Sequence, residues 1–335
     1  HVLAARGVGP GDRVALLSEN RAEILELFLA AGHLGAIVAC QNWRLAPSEM
    51  RHCVGLVAPA LAVVSPRHAA TLAAITSDLP VLELGAAYEA LLAAAPTHEI
   101  DRAVDPEAPL LVLYTSGTTG LPKGAVISQR AMVARAMCFA AEYGITAEHA
   151  YVAWSPLFHM AATDFSLATL MIGGKVVVQD GLDVDRLCAT IAAEPIGWLV
   201  AMPGMIDVMI DGLRRNATRP RGVRVVGAMA DLVPLRQIAD LTGLLNAPYI
   251  NSFGATETGL APASGALLAP DHVRILRNSR AVSRQGPWRS VCASSFRPHR
   301  KLPGANDLPP AAVQIPDWRR KHVHEAGKRK DEEDR

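Results

Sequence analysis

Short apolar runs alternate with helix-like patterns along residues 1 to 270, and this alternation constrains the fold more than any other feature. Val14 to Leu17, Leu61 to Val64 and Lys175 to Val178 have strand length. Helical spacing follows, as in His68 to Ile75 and after a cap at Asp183. Further units are Trp198 to Ala201 with Met205 to Leu213, and Val223 to Val226 with Val233 to Leu241. The pattern predicts an α/β fold with largely parallel sheets covered by helices on both faces.

A helix-start signal follows the first of these strands. Asn20 precedes Glu23 by three residues, which is the spacing of a capping box, and Ile24 and Phe28 then lie on one helical face. We therefore expect a helix capped by Asn20 and ended by the glycines at 32 and 35.

The segment from Leu113 to Gly124, Leu-Tyr-Thr-Ser-Gly-Thr-Thr-Gly-Leu-Pro-Lys-Gly, has the composition of a phosphate-binding loop. An apolar run, Pro109 to Leu113, precedes it, and a helical pattern from Ser128 to Tyr143 follows it, so we expect a strand-to-helix loop. Glycines allow positive φ and close backbone approach to an anion, hydroxyls donate hydrogen bonds, and Lys123 adds positive charge. These donors are Ser116, Gly117, Thr118, Thr119, Gly120, Lys123 and Gly124.

The P-loop of kinases and GTPases does not fit this segment. That motif requires a second glycine five residues after the first, and counting from Gly117 this position is Pro122. Proline has no N–H to donate to a phosphate. The Mg²⁺-binding hydroxyl that should follow the lysine is replaced by Gly124. The segment is therefore a candidate phosphate-binding loop of a different pattern.

The order of these residues resembles the phosphate-binding signature of the AMP-forming adenylating enzymes, which include acyl-CoA and aryl-CoA synthetases and peptide-synthetase adenylation domains. The resemblance spans about residues 1 to 270 and implies the large N-terminal domain of that fold. It also implies that ATP phosphates contact the loop. The implied contacts are Thr115, Ser116, Gly117, Thr118, Thr119, Gly120 and Lys123.

The segment Asn251 to Gly259, Asn-Ser-Phe-Gly-Ala-Thr-Glu-Thr-Gly, resembles a second motif of the family. A threonine hydroxyl can hold a phosphate oxygen, and a neighbouring carboxylate suits Mg²⁺ bridging ATP phosphates. The resemblance implies that Thr256 is the phosphate ligand and Glu257 the metal ligand. It places Asn251, Phe253 and Gly254 beside the nucleotide, with Phe253 and Gly254 flanking the adenine and acyl pockets.

Two weaker matches complete the candidate site. Trp154 to Met160, Trp-Ser-Pro-Leu-Phe-His-Met, resembles an element that lines the carboxylate pocket, which implies substrate contacts for Phe158 and His159. Met202 is a third candidate for the lining of the acid pocket. Gly227 and Ala228 match a segment beside the adenine, although small residues there are equally expected from strand-to-helix packing. Members of the resembled family that activate amino acids usually have an aspartate near this point, which binds the ammonium group of the substrate. Here the nearest acid is Asp164, five residues after His159, so the resemblance implies an organic acid without an α-amino group.

Composition and charge narrow the choice of partners and compartment. The 335-residue chain has a net charge of +1, which divides into about −6 for residues 1 to 270 and +7 for residues 271 to 335. The mildly acidic body argues against nucleic-acid binding. Five cysteines without paired spacing indicate reduced thiols, and no apolar run has membrane-spanning length, so we expect a cytoplasmic protein.

Residues 271 to 335 form a second region in which the alternation ends. Arginines are scattered among Pro, Ser and Gly without strand or helix spacing, and we expect this Arg/Pro-rich tail to be disordered or to come from a shifted reading frame. The family's ribose-binding motif and lysine-bearing small domain are not recognisable there. The resemblance therefore predicts a partial adenylation domain, truncated at both ends, with weak turnover.

The predicted function is an AMP-forming ligase that activates a fatty or aromatic acid with ATP and transfers it to coenzyme A. Its partners would be the acid, ATP, Mg²⁺ and coenzyme A. Two alternatives stay open at this point. The chain could load an acid onto a carrier protein, or it could be a non-catalytic remnant that binds nucleotide.

Overall fold

The computed structural model describes residues 1–115, 120–228, 233–251, 254–257, 259–260 and 267–268. Strands and helices alternate through these ranges. The strands are β1 Arg13–Leu17, β2 Ile37–Cys40, β3 Leu61–Val64, β4 Val81–Glu83, β5 Pro109–Thr115, β6 Lys123–Ser128, β7 Ala150–Ala153, β8 Lys175–Val178, β9 Ile196–Val200, β10 Val223–Ala228, β11 Tyr249–Asn251, β12 Gly254–Ala255, β13 Gly259–Leu260 and β14 Leu267–Leu268. The helices are α1 Ala22–Leu34, α2 Pro47–Val57, α3 Ala69–Ile75, α4 Ala86–Ala94, α5 Gln129–Tyr143, α6 Met160–Met171, α7 Val184–Ala193, α8 Ile206–Arg215 and α9 Leu235–Leu245, with 3-10 turns at Ala4–Arg6 and Pro66–His68.

Within the described residues the strands form two six-stranded sheets and one short hairpin. The first sheet has the order β4-β3-β1-β2-β5-β6, and the second has the order β14-β11-β10-β9-β7-β8. All pairs in both sheets are parallel except β5 with β6 and β11 with β14. Strands such as β2 and β3 are buried along their whole length, as expected for parallel strands covered on both faces. The predicted α/β class is confirmed.

Aromatic side chains of the second sheet and of helices α5 and α6 form the centre of the core. Trp198 of β9 stacks on Phe165 of α6 with 4.7 Å between ring centroids. Phe139 and Tyr143 of α5 lie at 6.0 and 5.0 Å from the same indole. Aromatic contacts of this kind add to the free energy of burying the rings. These contacts hold helices α5 and α6 on the second sheet.

The phosphate-loop segment joins two strands, and the prediction of a strand-to-helix loop is wrong. After β5 the chain returns as the antiparallel strand β6, with Thr115 opposite Lys123. The helix α5 starts only at Gln129, where the Ser128 side chain accepts a hydrogen bond from the Ala131 N–H. Sequence reasoning missed β6 because its glycine and its exposed or half-buried residues interrupt the apolar pattern.

The expected Asn20 cap is also wrong. Helix α1 starts at Ala22, its N-cap position is Arg21, and no side chain caps it. The Asn20 carboxamide instead forms hydrogen bonds to the other sheet, as described below. Gly35 ends the helix as predicted, and it does so in the left-handed conformation, whereas Gly32 lies inside the helix.

Candidate active site

The Asn20 side chain joins the carboxyl-terminal edges of the two sheets. Its Nδ2 group donates to the carbonyls of Ala153 at 3.1 Å, Ser155 at 2.7 Å and Gln179 at 3.0 Å. Its Oδ1 atom accepts from the Leu157 N–H at 2.8 Å. Asn20 follows β1, and its partners follow or end β7 and β8. Ligands of open parallel sheets bind beyond the carboxyl ends of the strands, so the two edges that meet here form the candidate site.

The phosphate-loop segment leaves the first sheet at this same edge, because β5 runs parallel to β2 and hence to β1. Thr115 is half-buried, and its Oγ1 donates to the Lys123 carbonyl at 3.5 Å. Lys123 is the first residue of β6 and is exposed. Gly120 has φ of +145°, a conformation that favours glycine. The predicted contacts Ser116, Gly117, Thr118 and Thr119 lie outside the described residues.

Helix α2 anchors both ends of this segment, and Gln41, which follows β2, also contacts the first end. The Tyr114 hydroxyl donates to the Cys53 carbonyl at 2.7 Å and accepts from Gln41 Nε2 at 3.3 Å. Burial raises the pKa of Tyr114, so the phenol stays protonated and can donate. At the other end, His52 Nε2 donates to the Pro122 carbonyl at 3.2 Å. The tyrosine of the motif therefore fixes the loop to the fold.

Close packing explains the glycine at position 124. Its φ is not positive, and a Cβ atom there would lie 2.7 Å from Val112 Cγ1 on the paired strand. Any side chain at this position would displace β5 or β6. The expected use of Gly124, positive φ beside a phosphate, is thus not what the structure shows.

The adenine-site candidates lie on adjacent strands of the second sheet. Ala228 of β10 is the register partner of Asn251 of β11, and both end their strands. Gly227 lies against Trp198, where a Cβ atom would approach Cζ2 to 2.0 Å. Packing alone is therefore sufficient to require a glycine at position 227. Gly254 belongs to β12, and Phe253 lies outside the described residues.

Thr256 and Glu257 form the turn between β12 and β13. The Thr256 carbonyl accepts a hydrogen bond from Arg135 Nη2 at 3.1 Å, and its side chain is half-buried. Glu257 is exposed and forms no ion pair within the described part of the chain. Mg²⁺ bound to nucleotides commonly uses one or two protein carboxylates together with phosphate oxygens and water. A single accessible carboxylate on a short turn fits that requirement.

His159 and Phe158 follow β7, directly beside the Asn20 contact. His159 is the N-cap of α6, and its Nδ1 accepts from the Ala161 N–H at 3.3 Å. The ring proton is therefore on Nε2 when the histidine is neutral. The ring reaches the surface, but the protein atoms packed around it desolvate the charged form and lower the pKa of His159. Neutral imidazole with its N–H donor on Nε2 is the form expected at pH 7.

Aromatic contacts surround Phe158. Its half-buried ring meets Trp43 edge-on, with 6.1 Å between centroids. The Arg44 guanidinium lies over both rings, 4.9 Å from the Trp43 centroid and 5.9 Å from that of Phe158. The contact links the first sheet to the loop of the predicted acid pocket.

Met202 follows β9, the strand next to β7, and is 38% exposed. The neighbouring Ala201 N–H donates to the Gly227 carbonyl at 2.9 Å, which holds this loop on β10. The predicted acid-pocket residues and adenine residues thus come from neighbouring strands at one edge of one sheet.

Arg135 and Asp164 belong to this region, and sequence reasoning missed their contact. Arg135 Nη1 donates to both Asp164 carboxylate oxygens, at 3.2 and 3.1 Å. Burial raises the pKa of Asp164 to about 6, although the Arg135 charge acts in the opposite direction. An acid within the otherwise uncharged helix α6 was the available signal. Its partner, 29 residues away, could not be identified from spacing.

Other site types receive no support from the described ranges. Among those residues no group of three or more His, Cys, Asp or Glu side chains could hold a metal ion. No helix there is long and apolar enough to cross a membrane. Cys40, Cys53, Cys138 and Cys188 are free thiols, of which the third is exposed.

Comparison with protein families matches residues 1–284 to the AMP-binding enzyme family. An indoleacetate–CoA ligase of Aromatoleum aromaticum is 32% identical over 314 residues, which are 90% of this chain and 60% of the ligase. A feruloyl-CoA synthase of Amycolatopsis is 31% identical over 216 residues, 62% of this chain and 42% of the synthase. The chain thus spans between about two-fifths and three-fifths of the length of these relatives.

A solved structure, the inhibitor-bound N-terminal domain of FACL13 from Mycobacterium tuberculosis, shares the fold. It superposes with a TM-score of 0.71 at 26% identity, covering 82% of this chain and 70% of that domain. The two-sheet arrangement described above is therefore that of a known N-terminal domain.

Proposed function

The chain belongs to the family of AMP-binding enzymes, as its motifs predict, and we propose that it provides the nucleotide- and acid-binding part of an AMP-forming acid–CoA ligase. The substrates would be ATP, an organic acid and coenzyme A. The meeting of the two sheet edges at Asn20 carries this proposal. This contact supports a single cleft between the two sheets. The phosphate loop of the first sheet would line one side, and the acid-pocket loop and the Thr-Glu turn of the second sheet would line the other.

In the first half-reaction an acid carboxylate oxygen attacks the α-phosphorus of ATP. The bond to the β-phosphate oxygen breaks, and pyrophosphate leaves with that electron pair. A carboxylate is ionised at pH 7, so the step needs no general base. It needs positive charge and hydrogen-bond donors around the phosphates. Lys123 and the loop hydroxyls would supply these from one side, and Thr256 from the other.

Glu257 is the residue that would hold Mg²⁺. When bound, the ion would reduce the negative charge on the ATP phosphates. The exposed position of Glu257 on its turn leaves the carboxylate oxygens accessible for this contact.

In the second half-reaction the coenzyme A thiol, after losing its proton, attacks the acyl carbonyl of the acyl-adenylate. The carbonyl–phosphate oxygen bond breaks and AMP leaves. His159 and Phe158, at the start of α6, would line the pocket where the acyl carbonyl lies. The neutral His159 ring would present its Nε2 proton as a donor.

The acid itself would be a fatty or aromatic acid without an α-amino group. Asp164, the acid that follows His159 in the chain, is buried and paired with Arg135, so its charge is compensated within the protein. An ammonium group would find no free carboxylate from this residue. The named acids of the two relatives above, indoleacetate and ferulate, are aromatic, and this supports the same class here.

Exchange of labelled pyrophosphate into ATP, at the weak turnover predicted above, tests the first half-reaction on this chain. With Mg²⁺ we expect exchange only when an acid is present, stronger with aromatic and medium or long aliphatic acids than with acetate or amino acids. Product analysis should then give AMP and an acyl-CoA thioester. Formation of ADP, or equal exchange without acid, would contradict the proposal. Transfer to a carrier-protein thiol but not to coenzyme A would identify the alternative acceptor.

A further inference from the structure

We propose that Arg135 positions the turn that bears Thr256 and Glu257, and that Asp164 holds Arg135 in place. Arg135 lies on α5 and Asp164 on α6, so two helices of the core would set the geometry of the turn. What the turn binds rests on the proposed function. The positioning contact itself is independent of it.

The guanidinium of Arg135 forms contacts with both elements at once. Nη1 donates to the Asp164 carboxylate, while Nη2 donates to the Thr256 carbonyl at 3.1 Å. The side chains of Arg135 and Asp164 are only 11% and 6% exposed. A buried guanidinium and a buried carboxylate are stable only when they are paired and hydrogen-bonded. Because hydrogen bonds between charged groups depend on direction, the pair fixes the orientation of Arg135.

The other end of the turn also closes on this side chain. Gly259 has φ of +71°, and a Cβ atom there would lie 2.7 Å from Arg135 Nε. Glycine thus lets the β13 backbone approach the guanidinium. Both Thr256 and Gly259, which bracket Glu257, are therefore in contact with one rigid group.

The shape of the guanidinium matters for this role. Its planar fork presents several N–H donors in fixed directions, so it can serve a carboxylate and a carbonyl together. A lysine ammonium would retain the charge but not the fixed geometry. Arg135 is a positioning residue here, since no observation places it on the substrate. A displaced turn would misplace Thr256 and Glu257 relative to the phosphates, and such small misplacements reduce rates strongly.

Hydrogen–deuterium exchange without any ligand tests the contact directly. In Arg135→Gln we expect the amides of residues 254–257 to exchange about tenfold faster, because the turn loses its anchor. The matched control is Arg224→Gln. Arg224 also donates to a backbone carbonyl at the end of α5, that of Tyr143 at 2.7 Å, but it does not contact the turn in the described structure. The control should leave exchange at 254–257 unchanged.

Unchanged exchange at 254–257 in a folded Arg135→Gln protein would overturn the positioning role. If that variant does not fold, Arg135→Lys and Asp164→Asn are judged by the same criterion. Each variant retains part of the polar contact, so its exchange rate at 254–257 should lie between that of the wild type and the rate expected for Arg135→Gln.

Binding of ATP at varied Mg²⁺ concentration separates this inference from the proposed function. We expect Arg135→Gln to raise the Mg²⁺ concentration for half-maximal ATP binding about tenfold, and Arg224→Gln to leave it unchanged. Faster exchange with no Mg²⁺-dependent ATP binding even in the wild type would retain the positioning contact and refute the proposed ligand. A wild-type Mg²⁺ requirement in Arg135→Gln would refute the functional consequence of positioning.

Discussion

The Oδ1 atom of Asn20 accepts a hydrogen bond from the Leu157 N–H at 2.8 Å, which connects residues 137 positions apart in the chain. The same side chain donates to three carbonyls at or just beyond the ends of β7 and β8. Buried backbone groups that lose a partner are costly. This one carboxamide therefore stabilises the junction of the two sheets and fixes the segment that leads to His159.

Asn20→Ala should lower the free energy of unfolding by roughly 2–4 kcal/mol, because several buried backbone groups lose their partner. Asn20→Asp should also destabilise, since a carboxylate cannot donate to the carbonyls. Chemical denaturation measures both. Asn216→Ala is the control, because that exposed amide donates to Asp185 and to the Gly212 carbonyl at the surface. Equal stability of Asn20→Ala and Asn216→Ala would contradict the structural role of Asn20.

Lys123→Ala and Glu257→Ala should reduce acid-dependent pyrophosphate exchange by one to about three powers of ten, because phosphate charge is then left uncompensated. Both side chains are exposed, so the folded state should keep its stability. Exchange rates and thermal unfolding are measured on the same preparations. Wild-type exchange in both variants would show that the phosphate site lies elsewhere.

His159→Ala should alter the preference among acids, or the rate of thioester formation, more than the affinity for ATP. The reason is its place at the start of α6 beside Phe158, on the loop after β7. Competition among aliphatic and aromatic acids measures the preference, and ATP titration measures affinity. Loss of ATP binding with unaltered acid preference would place His159 in the nucleotide site.

Asp164 should make stability depend on pH in a defined direction. Its folded pKa of about 6 lies above the ordinary value of about 3.9, so the folded state binds the proton more tightly. Relative to Asp164→Asn, the free energy of unfolding of the wild type should fall by about 2 kcal/mol between pH 4 and pH 7. Above pH 7 the difference should be constant. The same pH dependence in both proteins would refute the raised pKa.

Local patterns in the sequence were sufficient to predict much of the fold. The bounds of β3 and β8 agree with the predicted apolar runs, and Asp183 caps α7 as expected, its side chain accepting from the Arg186 N–H at 3.0 Å. These features depend on residues within one turn or one strand. The α/β class follows from them, because alternating units of this length leave few other arrangements.

The features that local sequence patterns did not predict depend on contacts between residues far apart in the chain. The capping prediction for Asn20 used only residues 20 to 23, whereas its actual partners lie more than 130 residues away. The contact of Arg135 with Thr256 spans 121 residues. The glycines at 124 and 227 fit a phosphate motif and an adenine motif, yet packing against Val112 and Trp198 already requires them. Tertiary packing therefore determines these features, and no local spacing encodes it.

Titration of this chain with ATP in the presence of Mg²⁺ tests the nucleotide site most directly. We predict saturable binding. The affinity should fall about tenfold or more in Lys123→Ala and in Glu257→Ala, because each variant loses one charged contact. Lys175→Ala is the matched control, because that exposed lysine is paired with Glu194 at 2.6 Å and starts β8 at the opposite edge of the sheet. It should bind ATP as the wild type does. No saturable binding by the wild type, or equal affinity in all four proteins, would contradict the assignment of this cleft to ATP.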